Sequence, residues 1–479
     1  MIEKETIPVL SALDAVSLAL QSGSVIEPTL HTNRKRKCMK TKMQGPDSAF
    51  LKPGKVVSGS VALVFVLSTV FAGKSVQAQT YHPLYTFHGV NSANGSSPTS
   101  LVADRAGNVY GATSGGGAFG FGTIFKLSAA GIETVLYNFT GGADGGNPEA
   151  GLVRDAAGNL YGTAERYGSS KCLLDVEVGC GTVFQLSPAR KLAILHAFTG
   201  ADGMEPGGTL VLASNGSLYG TTILGGNHPD CSAASFPDGC GTVFRLTKNS
   251  AGKWHETVLY SFGGDGDGWQ PSGGLLLDAS GNIYGTTASG DSGCSMGSGA
   301  SCGNVFKLQR NGTGWMHTIL YTFTGGKDGA QPSSGLIRDS KGNLYGVTNL
   351  GGSFGFGTIF KLDVNNNKAI LHSFKGTDGA YPFADLVRDA AGNLYGTTTE
   401  GGSSKVGTVF KLETGGTLRV LHSFHGGSDG AYPFSTLFQD AAGNLYGATV
   451  LGGSKGQGTL FDIHKKNEAV TAGAPLQFP

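Results

Sequence analysis

The chain has 479 residues, with 35 Lys and Arg against 34 Asp and Glu. Residues 1–78 hold 10 of the basic and 5 of the acidic side chains, which leaves 25 basic against 29 acidic ones in the remainder. A nucleic-acid partner is therefore not expected, because no basic stripe is left to contact phosphates.

Residues 1–78 are predicted to be an N-terminal extension and signal peptide. A basic run at 34–37 precedes the apolar core Val56–Ala72, and Val76-Gln77-Ala78 is a small-residue cleavage pattern. We expect cleavage after Ala78 and export to the periplasm, cell envelope or exterior. The alternative is an uncleaved anchor, since about 17 apolar residues is the lower limit for a span. Apart from such an anchor, we expect no contact with a membrane.

A motif that runs from Asp155 to Thr163 (D-A-A-G-N-L-Y-G-T) recurs seven times with small variations. Its tyrosines stand 50 to 65 residues apart, at 110, 161, 219, 284, 345, 395 and 446. These spacings lie at or just above the range of 20 to 50 residues that is typical of repeats in propellers and solenoids. One repeat domain is therefore favoured over several domains.

Each copy of the motif is predicted to be a β-hairpin. An apolar run precedes it and a β-rich run follows, and its glycine lies where a three-residue loop needs a left-handed residue. The preceding Asp can accept hydrogen bonds from the backbone of its own turn. The third copy has Ala213 in place of Asp but keeps Gly216. This exception favours a turn-locking role for the Asp over a catalytic one.

Two further runs recur with the hairpin, so each period contains four strands. Examples are Thr182–Leu186 and Val135–Phe139. Four strands per period predict an all-β fold, a seven-bladed β-propeller of four-stranded blades over residues 79–465, followed by a short polar tail at 466–479. A copy of the fourth strand at 84–87 precedes any blade, and the last blade ends at its third strand. We therefore expect the N-terminal strand to complete the last blade, which removes both free edges.

Six of the seven cysteines form three local pairs, each in a loop between the second and third strands of blades 2, 3 and 4. They are Cys172/Cys180, Cys231/Cys240 and Cys294/Cys302. This locality predicts three disulfides and an oxidising compartment. Zinc is the competing interpretation, but the short ligand spacing that zinc sites show is missing.

The variable loops are predicted to share one face of the propeller, where a ligand would bind. Candidate ligand-binding residues on this face are Phe119, Phe121, Trp269, Phe354, Phe356, Tyr381 and Tyr432. Aromatic rings over a polar surface suit the apolar faces of sugars. The alternative is that these rings only cap the blade ends.

Repeated Asp-Gly pairs on the same loops have two interpretations. Asp144, Asp202, Asp328, Asp378 and Asp429, with the segment 265–268, could bind calcium, but the closing glutamate of a calcium loop is missing. A turn before proline explains the same residues and is favoured. His196, His372 and His422 replace tyrosines of other copies and are interpreted as strand packing residues.

The motifs D-A-A-G-N-L-Y-G-T-T, G-T-V-F-K-L and G-G-S-D-G-A-Y-P resemble the GloVer tandem-repeat (choice-of-anchor) family of bacterial exported proteins. The resemblance runs from about residue 81 to 463. It implies bacterial origin, export and repeat architecture, and it transfers no activity or catalytic residue. No C-terminal sorting segment is recognisable in this sequence.

We therefore expect a secreted, monomeric binding or adhesion module for carbohydrate or a cell-surface partner. A structural envelope protein and a polysaccharide-active hydrolase or lyase are the alternatives. No catalytic residue, metal ligand or cofactor is predicted, because no nucleophile with a base breaks the repeat. Two acidic residues close together in the central channel would favour the enzyme, and an uncharged aromatic funnel would favour binding.

Overall fold

The computed structural model describes residues 79–89, 94–168, 172, 179–228, 231, 239–264, 266–290, 294 and 302–465. The predicted signal peptide and the predicted tail both lie outside these residues. Within the described part of the chain, no helix is long and apolar enough to cross a membrane.

The described strands form seven antiparallel sheets, each of which is one blade. Strand β1 (Gln79–Thr86) belongs to the last blade. Blade 1 contains β2 (Ser96–Pro98), β3 (Val102–Ala103), β4 (Val109–Gly115), β5 (Thr123–Leu127) and β6 (Glu133–Asn138). Blade 2 contains β7 (Val153–Arg154), β8 (Leu160–Ala164), β9 (Thr182–Leu186) and β10 (Leu192–Ala197). Blade 3 contains β11 (Val211–Leu212), β12 (Leu218–Thr222), β13 (Thr242–Lys248) and β14 (Trp254–Ser261). Blade 4 contains β15 (Leu276–Leu277), β16 (Ile283–Thr287), β17 (Asn304–Asn311) and β18 (Gly314–Thr322). Blade 5 contains β19 (Ile337–Arg338), β20 (Leu344–Thr348), β21 (Thr358–Leu362) and β22 (Lys368–Ser373). Blade 6 contains β23 (Val387–Arg388), β24 (Leu394–Thr398), β25 (Thr408–Leu412) and β26 (Leu418–Ser423). Blade 7 contains β27 (Phe438–Gln439), β28 (Leu445–Thr449), β29 (Thr459–Lys465) and β1. A 3-10 turn at Gly427–Asp429 lies between blades 6 and 7.

The predicted seven-bladed propeller is confirmed, with one addition. In blade 1 the short strand β2 also pairs with β4. The same loop makes a single bridge in other blades, as between Ala380 and Glu400, so β2 is an extended version of a repeated contact.

The predicted closure is also confirmed. Strand β1 pairs antiparallel with β29, from Gln79 opposite Lys465 to Thr86 opposite Thr459. The N-terminal strand is therefore the outer strand of the last blade, and the ring has no open seam. Strand β1 is longer than the 84–87 run from which the closure was inferred, and it contains an irregularity between Pro83 and Tyr85.

The repeated motif forms the predicted turn. Gly158 is left-handed, with φ of 88°, and its N–H donates to the carbonyl of Asp155. The Asp155 carboxylate accepts hydrogen bonds from the Asn159 N–H at 2.8 Å and from the Tyr161 hydroxyl at 3.0 Å. In the third copy, the Asn215 side chain accepts the Ser217 N–H instead. The aspartate therefore locks the turn and holds the motif tyrosine.

The core lies between the blades, in seven apolar clusters that each join two neighbours around the ring. Each cluster contains an edge-to-face pair of phenylalanines, one after the outer strand of a blade and one on the third strand of the next. Ring centroids in these pairs are 5.1 to 5.3 Å apart. The pairs are Phe87/Phe125, Phe139/Phe184, Phe198/Phe244, Phe262/Phe306, Phe323/Phe360, Phe374/Phe410 and Phe424/Phe461.

The glycine of each Tyr-Gly pair leaves space for one of these rings. At Gly396, for example, a Cβ atom would lie 2.7 Å from Cζ of Phe410. Close approach, and not an unusual backbone angle, therefore explains this repeated glycine.

All three predicted disulfides are formed: Cys172–Cys180, Cys231–Cys240 and Cys294–Cys302. Three disulfides are typical of proteins that fold in an oxidising compartment, outside the cell or in the periplasm.

Candidate functional site at the mouth of the central channel

The loop that leads from each blade into the next is bonded to the preceding blade at the residue before its proline. This residue is left-handed in all seven copies, with φ between 54° and 56°. Its N–H donates to a carbonyl of the preceding blade, as from Tyr381 to Phe356 at 3.0 Å. The seven left-handed residues are Ser97, Asn147, Glu205, Gln270, Gln331, Tyr381 and Tyr432.

The following proline packs on a glycine of the preceding blade. At Gly357, a Cβ atom would lie 2.7 Å from Cδ of Pro382. These contacts put the second-to-third-strand loops and the blade-to-blade loops on one face, as the sequence predicts. We call the centre of this face, where the blade-to-blade loops turn into the inner strands, the mouth.

Below the mouth, one residue of each blade forms a ring that we call the throat. Its members are Ser100, Gly151, Thr209, Gly274, Gly335, Asp385 and Thr436. Hydrogen bonds link neighbours in this ring: the Thr436 N–H donates to Ser100 Oγ at 3.0 Å, and the Asp385 N–H donates to Thr436 Oγ1 at 3.3 Å. On the other side, the Gly151 N–H donates to Thr209 Oγ1 at 3.0 Å.

Asp385 is the one carboxylate in the throat. It accepts the Gly335 N–H at 2.6 Å. A Cβ atom added at Gly335 would lie 3.1 Å from both of its oxygens, and one at Gly274 would lie 3.5 Å from the nearer. The carboxylate of blade 6 therefore reaches blades 5 and 4, which is possible only near the axis of the ring. Burial raises the pKa of Asp385, and the hydrogen bond from Gly335 opposes that shift.

Above Asp385, the loops entering blades 6 and 7 carry four half-buried aromatic residues, which we call the aromatic quartet: Tyr381, Phe383, Tyr432 and Phe434. The Phe383 and Phe434 ring centroids are 5.3 Å apart. In blades 4 and 5 the positions of the two phenylalanines are occupied by Ser272 and Ser333.

Glu400 lies at the exposed rim beside the quartet. The negative charge of Glu400 contributes to raising the pKa of both Tyr381 and Tyr432, after burial, so the carboxylate is near both tyrosines. Burial against the protein raises the pKa of Glu400 itself.

Among the seven candidate aromatics, the rings of Phe356 and Tyr381 are in edge contact, with centroids 5.9 Å apart, and Tyr381 and Tyr432 lie near the same carboxylate, Glu400. Phe119 and Phe354 are 58% and 54% exposed, but they lie on blades 1 and 5, which are not neighbours. Three of the seven are partly buried at interfaces between blades: Phe121, Trp269 and Phe356. Sequence analysis missed Phe383, Phe434, Asp385 and Glu400. For Phe383, Phe434 and Asp385 the available signal was an aromatic or acidic residue at a position where most other copies have a small one. Glu400 had no such signal, because its counterparts in other blades include Arg166, Leu224 and Leu350.

The loop aspartates hold turns. Asp144, for example, accepts the Thr140 N–H and the Tyr137 hydroxyl, each at 2.9 Å. His372 and His422 occupy the tyrosine position, as the sequence predicts, and bond to Asp378 and Asp429 at 3.0 Å. Asp265 lies outside the described residues.

On the side of blades 6 and 7, the mouth therefore offers an apolar wall, with Glu400 at the rim and Asp385 at the axis. Apolar rings with a few convergent polar groups are typical of small-molecule sites. The pKa values of Asp385 and Glu400 are both raised by burial, and raised pKa values are typical of carboxyl groups used in acid–base chemistry.

Comparisons with known proteins identify the repeat. The family model described as "Gloeobacter/Verrucomicrobia repeat" matches residues 65–296, 175–387 and 292–476. The chain matches no curated protein. A solved gluconolactonase from Xanthomonas campestris is similar at 14% identity and a TM-score of 0.38, over 67% of this chain and 86% of that one. A provisionally assigned 6-phosphogluconolactonase from Bacteroides uniformis is similar at 15% identity and a TM-score of 0.45, over 71% of this chain and 88% of that one. At these scores neither likeness bears on activity.

Proposed function

We propose that this chain, which belongs to the Gloeobacter/Verrucomicrobia repeat family, is a secreted binding module that holds carbohydrate at the mouth of its channel. The observation that carries the proposal is the aromatic quartet. It places four rings on two adjacent loops, while the same positions in other blades carry small or polar residues. The apolar face of a sugar would stack on the rings, and Glu400 and Asp385 would accept hydrogen bonds from its hydroxyl groups.

The test is a glycan and polysaccharide array probed with the exported protein. Two variants copy residues from blade 5 and should therefore fold: Phe383→Ser, which copies Ser333, and Tyr381→Gln, which copies Gln331. Each should weaken binding at least tenfold, because each removes a stacking surface. Phe354→Ala, on an exposed ring outside the quartet, serves as the control and should bind like the wild type.

Binding that survives both quartet variants would contradict this site. If the wild type bound no glycan, a structural envelope role or a protein partner would be the better account.

A polysaccharide hydrolase or lyase is the second candidate, favoured by the raised pKa values of Asp385 and Glu400. A carboxyl group whose pKa is raised is better suited to act as a general acid. Each glycan that binds is therefore incubated with the protein and checked for new reducing ends. Cleavage that is lost in Asp385→Gly, which copies Gly335, would put the enzyme first, and binding without cleavage would leave the binding module.

A further inference from the structure

A second set of polar residues recurs on the outer part of each interface between blades. A Tyr or His on the outer strand bonds to the loop Asp, and a third residue from the next blade packs beside this pair. At blades 3 and 4 the third residue is His317, 3.0 Å from Asp267, and at blades 4 and 5 it is Lys368, 3.9 Å from Asp328. In both cases the Asp faces a group that carries, or can carry, a positive charge.

The other interfaces also avoid a second carboxylate, with one exception. Leu192, Leu418 and Tyr81 are the third residues at three of them. Glu133 is the third residue between blades 7 and 1, but there Asn94 replaces the Asp and bonds Tyr85 at 2.5 Å. Among these positions in the described residues, two carboxylates meet only between blades 2 and 3, where Asp202 and Glu256 lie beside His196.

The geometry of this exception is that of a cation site. His196 Nε2 is 2.9 Å from one oxygen of Asp202, whose other oxygen accepts the Thr199 N–H at 2.8 Å. Glu256 Oε1 is shielded from solvent and has no hydrogen-bond partner in the described structure. One ligand atom from each of the three side chains falls within 4.8 Å of the others. Two carboxylates in so small a space repel each other, and a bound cation or a proton relieves that repulsion.

We propose that His196, Asp202 and Glu256 form a divalent metal site that clamps blade 2 to blade 3, and that Zn²⁺ fits it. Imidazole and carboxylate ligands both suit zinc, and three protein ligands leave a position for water. Calcium fits less well, because it prefers six to eight oxygen ligands.

A second group, His82, Asp462 and His464, is the weaker candidate. There each oxygen of the single carboxylate already pairs with an imidazole, at 3.0 and 2.8 Å. No unpartnered ligand atom and no second carboxylate require an ion. The number of zinc ions bound per chain in variants of each group distinguishes the two groups.

The experiment is calorimetric titration of the full chain, purified through an export route and stripped with EDTA, with ZnCl₂ and with CaCl₂ for comparison. Melting temperature is measured with and without zinc. Two variants copy other interfaces: His196→Tyr, which matches Tyr137, and Glu256→Leu, which matches Leu192. Glu256→Gln keeps the shape of the side chain and removes its charge. His372→Tyr is the control, because its Asp378 faces Leu418 and not a second carboxylate.

We expect wild type to bind zinc and to melt at a higher temperature in its presence. Each of the three site variants should lose one zinc per chain, or bind it at least tenfold more weakly, and lose the thermal shift. The control should retain both. A wild type that binds no zinc, a Glu256→Gln variant that binds like wild type, or a control that loses as much as the site variants would each overturn the proposal. A zinc ion retained in the site variants and lost in His82→Thr would be assigned to the second group.

Discussion

Phe87 tests whether the closing strand is part of one cooperative ring. Its side chain is fully buried, and its ring lies 5.2 Å from that of Phe125 across the seam between blades 7 and 1. Phe374 is its internal match, because it is also fully buried and lies 5.2 Å from Phe410. Only the connectivity differs, since Phe87 follows an N-terminal strand that pairs with the last blade.

Truncating a buried phenylalanine costs about 3–5 kcal/mol, from lost burial and from the cavity left behind. We therefore expect Phe87→Ala and Phe374→Ala to lower the free energy of unfolding by similar amounts in that range. The assay is urea unfolding, followed by tryptophan fluorescence and far-UV circular dichroism, with coincident transitions as the test of cooperativity.

A cost below about 1 kcal/mol for Phe87→Ala, with the full cost for Phe374→Ala, would refute the reasoning. The closing strand would then detach before the rest of the ring unfolds. Equal costs would show that the noncovalent seam is as strong as the continuous ones.

Four further predictions concern the turns, the disulfides, the core glycines and the carboxylate pair. Hydrogen bonds from Asn343 and Tyr345 lower the pKa of Asp339 to about 2, although burial opposes the shift. Wild-type stability from this turn should therefore be present above the unfolded pKa of about 3.9 and be lost as the pH falls through the folded value. Asp339→Ala should flatten that part of the curve of melting temperature against pH, and an unchanged curve would count against the turn lock. Replacing Cys172 and Cys180 together by serine should cost about 2–3 kcal/mol in urea unfolding, from the lost constraint on a short loop, and no cost would contradict the chain-entropy argument. Gly396→Ala should lower the melting temperature, because its Cβ would meet Phe410 at 2.7 Å, whereas Gly415→Ala, with no atom within 4 Å, is the control. Burial raises the pKa of Glu256 to about 7, so metal-free wild type should lose stability as the pH rises from the unfolded value of about 4.3 through 7. Glu256→Gln in EDTA should remove that loss, and identical pH curves for both proteins would argue against the buried charge.

The sequence predicts the ring because its determinants are local and repeated. Gly158 and Asp155 specify a turn although they are only three residues apart in the chain. The closure is predicted because an outer strand precedes the first of the seven blades and the last blade lacks one. The lengths of the innermost strands could not be predicted in this way. Strands such as β23 have only two residues, which is too few to show an alternation of apolar and polar side chains.

The site could be predicted only in part, because it depends on curvature. Tyr381 and Trp269 lie on similar loops, but they differ by one position relative to the following proline. That shift places Tyr381 on the mouth and Trp269 against the core between blades 3 and 4. The meeting of Asp385 with blades 4 and 5 needs the ring radius, which no local motif contains.

The seven left-handed residues before proline have a consequence for how such a protein can change. The bond that recurs at every seam is donated by their backbone N–H groups, and their side chains differ, from Ser97 to Tyr432. At Asn147 the side chain adds a bond to the same blade, since it donates to the carbonyl of Ser114 at 3.0 Å. In the proposed binding module, folding and recognition are therefore assigned to different atoms of Tyr381 and Tyr432. Under the same proposal, substitution at the seven positions would change the surface of the mouth while the backbone frame is inherited intact, an arrangement that favours evolvability and suits a combinatorial library.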